Sequence, residues 1–145
     1  MRSRLLIAIV FSFFLGLASP MPASSHSAIT FTASAVNQTV HAGSDPSLSF
    51  TVRNTSHRNV PYSLTYPLFV DIQLSVVDSN GNEVAANLPF MPYVVSGRTA
   101  TLSPRECFTV TFPLSSWRYS LSPGTYTMKA TWYSLSAAPF KLTVT

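Results

Sequence analysis

The sequence predicts an all-β protein, an antiparallel two-sheet sandwich preceded by an N-terminal signal-peptide helix. Three observations carry this. Apolar and polar residues alternate at period two in one segment after another, the mark of half-buried strands. The breaks between those segments hold turn chemistry: "NTSHRN" at 54–59, Asn80-Gly81, and "LSP" at both 102–104 and 121–123. No later stretch has the 3.6-residue period of an amphipathic helix, and eleven prolines with abundant Ser and Thr oppose one.

The first element is "MRSRLLIAIVFSFFLGLASPMPASS". Arg2 and Arg4 precede an apolar run from Leu5 to Leu15, and small residues follow. That is the layout of a secretory signal peptide. The run falls short of the roughly 20 residues that span a bilayer, so no lasting membrane anchor is expected. Cleavage fits after Ala18 or after Ser25. Pro20 near the first cut favours the second, which makes 1–25 the signal and 26–145 the domain. Removing 1–25 takes Arg2 and Arg4 from nine basic residues, leaving seven against five acids and a net charge of +2. Those seven are scattered, so no nucleic-acid surface is expected. The expected location is secreted, periplasmic or extracellular. With the single cysteine Cys107, the chain cannot staple itself and must rely on an apolar core.

The strands follow in order. "AITFTASA" places Ile29, Phe31 and Ala33 on one face. "SLSFTVRN" turns Leu48, Phe50 and Val52 inward. "VDIQLSVVD" groups Val70, Ile72, Leu74 and Val76, and Asn80-Gly81 then signals a hairpin. "CFTVTF" groups Phe108, Val110 and Phe112, which puts Cys107 on the outer face. After Pro123-Gly124, Tyr126, Met128, Ala130 and Trp132 alternate with Thr125, Thr127, Lys129 and Thr131. The Tyr126 hydroxyl is placed to close a corner hydrogen bond. "PFKLTV" ends the chain with Phe140, Leu142 and Val144 inward.

Four groups of residues then fall in a particular order: Val52, Asn54 and Ser56; Val76, Asp78 and Gly81; Thr101, Leu102 and Glu106; and Trp117 before Pro123, Gly124 and Tyr126. From Leu48 to Val144 this order resembles the BsuPI family, named after an intracellular proteinase inhibitor. The resemblance implies an immunoglobulin-like sandwich and a domain that docks on a protein, a protease being the implied partner. Unlike that inhibitor, this chain carries an export signal. Where the family has a short polar turn after the third strand, it reads "SLTYPLFVD".

No catalytic residues are expected. The acids Asp45, Asp71, Asp78, Glu83 and Glu106 are dispersed, and no serine sits in a G-x-S-x-G elbow. Asp78, Asn80 and Asn82 open like a calcium loop. However, Glu83 stands at its sixth position and Pro89 at its twelfth, so a plain turn is expected. A new N-terminal His26 with His41 and His57 is the one conceivable copper set. Nothing in their spacing joins them, and neither metal nor cofactor is expected.

For partner binding, two loops supply the residue types that dominate interfaces. One is "NLPFMPYVV", with Phe90, Met91 and Tyr93 stiffened by Pro89 and Pro92; it either folds back to plug the open end of the sandwich or displays these side chains to a partner. The other is "SSWRYS", with Arg118 and Tyr119, where Trp117 reads as a plug between sheets. The expectation is a non-catalytic binding domain, monomeric or joined as a dimer through Cys107. The alternative is a structural or adhesive module of the cell envelope. Asn37-Gln38-Thr39 and Asn54-Thr55-Ser56 are glycosylation sequons in a host that uses them.

Overall fold

The computed structural model describes residues 28–66, 68–86 and 96–145. The expected signal peptide, and the loop carrying Phe90, Met91 and Tyr93, lie outside the described residues.

The strands are β1 (Ile29–Ala35), β2 (Thr39–Val40), β3 (Ser47–Asn54), β4 (Val60–Tyr66), β5 (Ile72–Val77), β6 (Ser96–Leu102), β7 (Cys107–Pro113), β8 (Gly124–Trp132), β9 (Leu135–Ser136) and β10 (Phe140–Val144). One sheet runs β1-β3-β7, and the facing sheet runs β2-β10-β8-β5 with β9 on β8. Among the described residues, β4 and β6 pair only with each other. β2 joins β10 in parallel, while the other strand pairs are antiparallel. β1 and β2 therefore divide the first strand between both sheets. β3 with β7 on one side, and β5, β8 and β10 on the other, is the allotment of an immunoglobulin-like sandwich.

The core lies where period-two alternation places it. Phe31, Leu48, Phe50 and Val52 meet Val76, Met128, Ala130, Trp132, Leu142 and Val144, and all are buried. Thr125 and Lys129 face outward. Tyr126 closes the expected corner, its hydroxyl donating to the Ser122 carbonyl at 2.8 Å.

Three features differ from the expectation. Val70 is 40% exposed because it sits in a 3-10 turn, Leu68–Asp71, and not in β5. Phe108, Val110 and Phe112 are only half-buried, because β7 is the last strand of its sheet. The β4–β6 pair was not anticipated. In β4, Val60, Tyr62, Leu64 and Tyr66 do alternate with Pro61, Ser63 and Thr65, but Pro61 and Pro67 disguise the strand. "SGRTATL" in β6 has almost no apolar residues to alternate.

The pairs β3–β7 and β4–β6 are consecutive, with a break at Asn54 and at Ser103–Glu106. The Asn54 side chain is fully buried in that break. Its Nδ2 donates toward the carbonyls of Arg58, Leu102 and Ser103, while its Oδ1 accepts from the Ser56 N–H and hydroxyl. Opposite, the Ser103 N–H donates to the Glu106 carboxylate, and the Glu106 N–H returns to the Ser103 carbonyl. These are the Asn-x-Ser and Thr-Leu…Glu groups noted in the sequence. Each supplies polar partners that the interrupted ladder lacks.

Candidate binding groove

An open groove of about 410 Å³ lies beside the outer edge of β4. One wall is Pro61, Tyr62 and Ser63; the other is the turn from Trp132 to Leu135. Its floor is aromatic. Tyr62 stacks on Phe108 at 5.4 Å and meets Trp132 edge-on at 6.1 Å. Trp132 continues inward to Phe31 at 6.1 Å and outward to Tyr133 at 5.3 Å.

Tyr133 is the unusual residue. β8 and β9 pair Trp132 with Leu135, so Tyr133 and Ser134 form a two-residue turn. Tyr133 takes φ +52, where a glycine normally sits. The residue is nevertheless 57% exposed, at the groove's rim. The sequence thus holds a bulky aromatic in a costly conformation at the surface.

Backbone donors along the β4 wall are few. In β4 the Thr65 N–H donates to Asp71 Oδ2 at 2.8 Å, so Pro61, Ser63 and Thr65 turn their backbone groups away from β6. Pro61 has no N–H and Thr65 has spent its own, and the groove's lining includes the hydroxyl-bearing residues Tyr62, Ser63, Tyr133 and Ser134.

The second expected site, Arg118 and Tyr119, lies within the described residues. Arg118 adopts φ +60 at the end of the 3-10 turn Leu114–Trp117. The Tyr119 hydroxyl donates to the Leu74 carbonyl at 2.9 Å. Burial first, and the Glu83 charge second, push the Tyr119 phenol above its usual range, which keeps that donor protonated. Trp117 packs on Phe50 at 5.5 Å and donates from Nε1 to the Ile72 carbonyl at 2.8 Å. It is an inter-sheet plug that also caps the edge of β5. Tyr119 lines a separate groove of about 280 Å³ with Asp45 and Ser115. The Asp45 carboxylate accepts from the Ser115 N–H and hydroxyl.

Asp78 forms the expected turn. Its carboxylate accepts from the Asn80 and Asn82 N–H groups and from Asn82 Nδ2. Among the described residues, no three His, Cys, Asp or Glu side chains gather. His41 reaches Thr145 Oγ1 at 3.5 Å, His57 is exposed in the 55–59 turn, and His26 lies outside the described residues. The sequence signal for the groove's β4 wall is the alternation in 60–66. The strain at Tyr133 left no sequence signal.

No protein-family model and no curated protein matches the chain. Among solved structures, it is similar to a Pseudomonas fluorescens alkylpurine DNA glycosylase bound to DNA, with TM-score 0.48, 9% identity, 83% of this chain and 31% of that one. It is also similar to a β-glucosidase from Listeria innocua, with TM-score 0.46, 17% identity, 80% of this chain and 16% of that one. A CARDB domain from Pyrococcus furiosus has TM-score 0.43 and 16% identity over 82% of this chain and 90% of that domain. The chain thus spans less than a third of the length of the glycosylase and the glucosidase.

Proposed function

We propose that this chain is an exported, non-catalytic binding domain that engages a protein partner, as its resemblance to a proteinase inhibitor implies. The observation that carries this reading is Tyr133. A strained conformation persists where something maintains it, and strained residues cluster at binding sites. Here the strained residue borders an aromatic groove of a size suited to one or two side chains. Arg118 and Tyr119, and the loop of Phe90, Met91 and Tyr93, remain further candidates for the same partner.

The test is inhibition. The secreted protein is titrated against subtilisin-type and other extracellular proteases, and residual peptidase activity is followed. The expected result is saturable loss of activity, weakened at least about tenfold by Tyr133→Gly, a hot-spot-sized effect. Full protease activity at saturating concentrations of folded protein would reject inhibition and leave the structural or adhesive module of the envelope.

A further inference from the structure

The described strand edges are unequally protected. On β5 the outward carbonyls of Ile72, Leu74 and Val76 accept from Trp117 Nε1, the Tyr119 hydroxyl and the Val84 N–H. β4 has Pro61 and the Asp71 cap on Thr65. β10 is covered by the two-residue β2, and β1 lies against β9 and β10. β6 carries the charge of Arg98 beside Gly97. These are the usual devices against edge pairing.

Among the described residues, β7 has none of them. The Asn54 N–H donates to the Glu106 carbonyl and the Leu114 N–H to the Pro46 carbonyl, so even-numbered residues of β7 face β3. The backbone groups of Cys107, Thr109 and Thr111 therefore face outward, and all three residues are exposed. "CFTVTFP" has no charge, and its proline is the last residue. Phe108, Val110 and Phe112 are half-buried behind this edge.

We infer that β7 pairs antiparallel with β7 of a second copy, about a two-fold axis at Thr109. Outward-facing backbone groups must meet outward-facing groups, and centring the set 107, 109, 111 on itself puts Thr109 opposite Thr109. Cys107 then stands opposite Thr111, and Phe108 opposite Val110. The outer row Thr32, Thr51 and Thr109 continues into its copy, extending the hydroxyl contact that Thr51 and Thr109 already make at 2.8 Å. The threonine row that continues across the axis, and the lack of any charged side chain from Cys107 to Pro113, favour a second copy over a foreign strand. The inference is independent of the groove and of inhibition. It also separates the dimer from the Cys107 disulfide expected from the sequence.

The experiment places a thiol at the axis. Directly opposed, hydrogen-bonded residues have Cα atoms about 5.5 Å apart, within disulfide reach. In a Cys107→Ser background, Thr109→Cys is expected to oxidise to a covalent dimer at least about ten times faster than Thr30→Cys on the outer face of β1, a difference that excludes random collision. Thr109→Pro removes only an outward N–H, so it should stay folded yet abolish the concentration-dependent dimer in sedimentation. Equal rates at positions 30 and 109 would overturn the inference. So would a folded Thr109→Cys protein that stays monomeric, or one that crosslinks to another polypeptide.

Discussion

Asn54 donates from Nδ2 to the Leu102 carbonyl at 3.0 Å, joining residues 48 positions apart in the chain. The bond lies where β3–β7 gives way to β4–β6. It lets one strand pair bend into the next with its buried groups satisfied. Asn54→Ala would strand several of those groups, each costing about 1–3 kcal/mol when buried. The expected loss is at least about 3 kcal/mol in denaturant titration, against about 1 kcal/mol for Ser56→Ala.

Trp132 and Lys129 share a strand but occupy opposite faces, one 5% exposed and the other fully outward. Trp132→Ala is expected to cost about 3–5 kcal/mol and Lys129→Ala under about 0.5 kcal/mol. Chemical denaturation of both variants checks this, and equal losses would mean the faces are misassigned.

Tyr133→Gly should stabilise the fold. Relief of the left-handed conformation gains about 1–2 kcal/mol, and the extra chain entropy of glycine costs about 0.5–1 kcal/mol. A net gain of about 0.5–1 kcal/mol is expected by thermal unfolding. A loss would show that the ring's packing on Trp132 outweighs the strain.

The Asp78 turn should weaken in acid. The Asn82 backbone bond, then its side chain, hold the Asp78 carboxyl below the usual aspartate value, and the Asn80 and Gly81 amides add to this. A depressed folded-state pKa contributes stability above the unfolded value, and that contribution is lost as pH falls below about 4. Asp78→Asn, which lacks the titrating charge, should show a shallower fall in melting temperature between neutral pH and pH 3 than the parent. Parallel curves would remove Asp78 from the acid response.

The two sequons should differ. Asn37 is exposed in the turn between β1 and β2, whereas the Asn54 amide is buried and fully engaged. Secretion from a glycosylating host should yield folded protein modified at Asn37 and not at Asn54, as read by peptide mass spectrometry. A glycan on Asn54 in folded protein would contradict its place in the fold.

The local pattern was enough to expose the strands around Phe31, Phe50, Val76, Met128 and Leu142, because a strand's two faces are written in neighbouring residues. The corner at Tyr126 was legible for the same reason, since its partner Ser122 is four residues away. The hydrogen-bond partners of Asn54, Trp117 and Tyr119 were not legible, although Trp117 already read as a plug between sheets. Their carbonyl partners Leu102, Ile72 and Leu74 lie 45 or more residues away. A hydrogen bond between distant segments leaves no periodic trace in either one. The same holds for the strain at Tyr133 and for the bare edge of β7. An edge is defined by which strands fail to arrive beside it, and only the assembled sheets decide that.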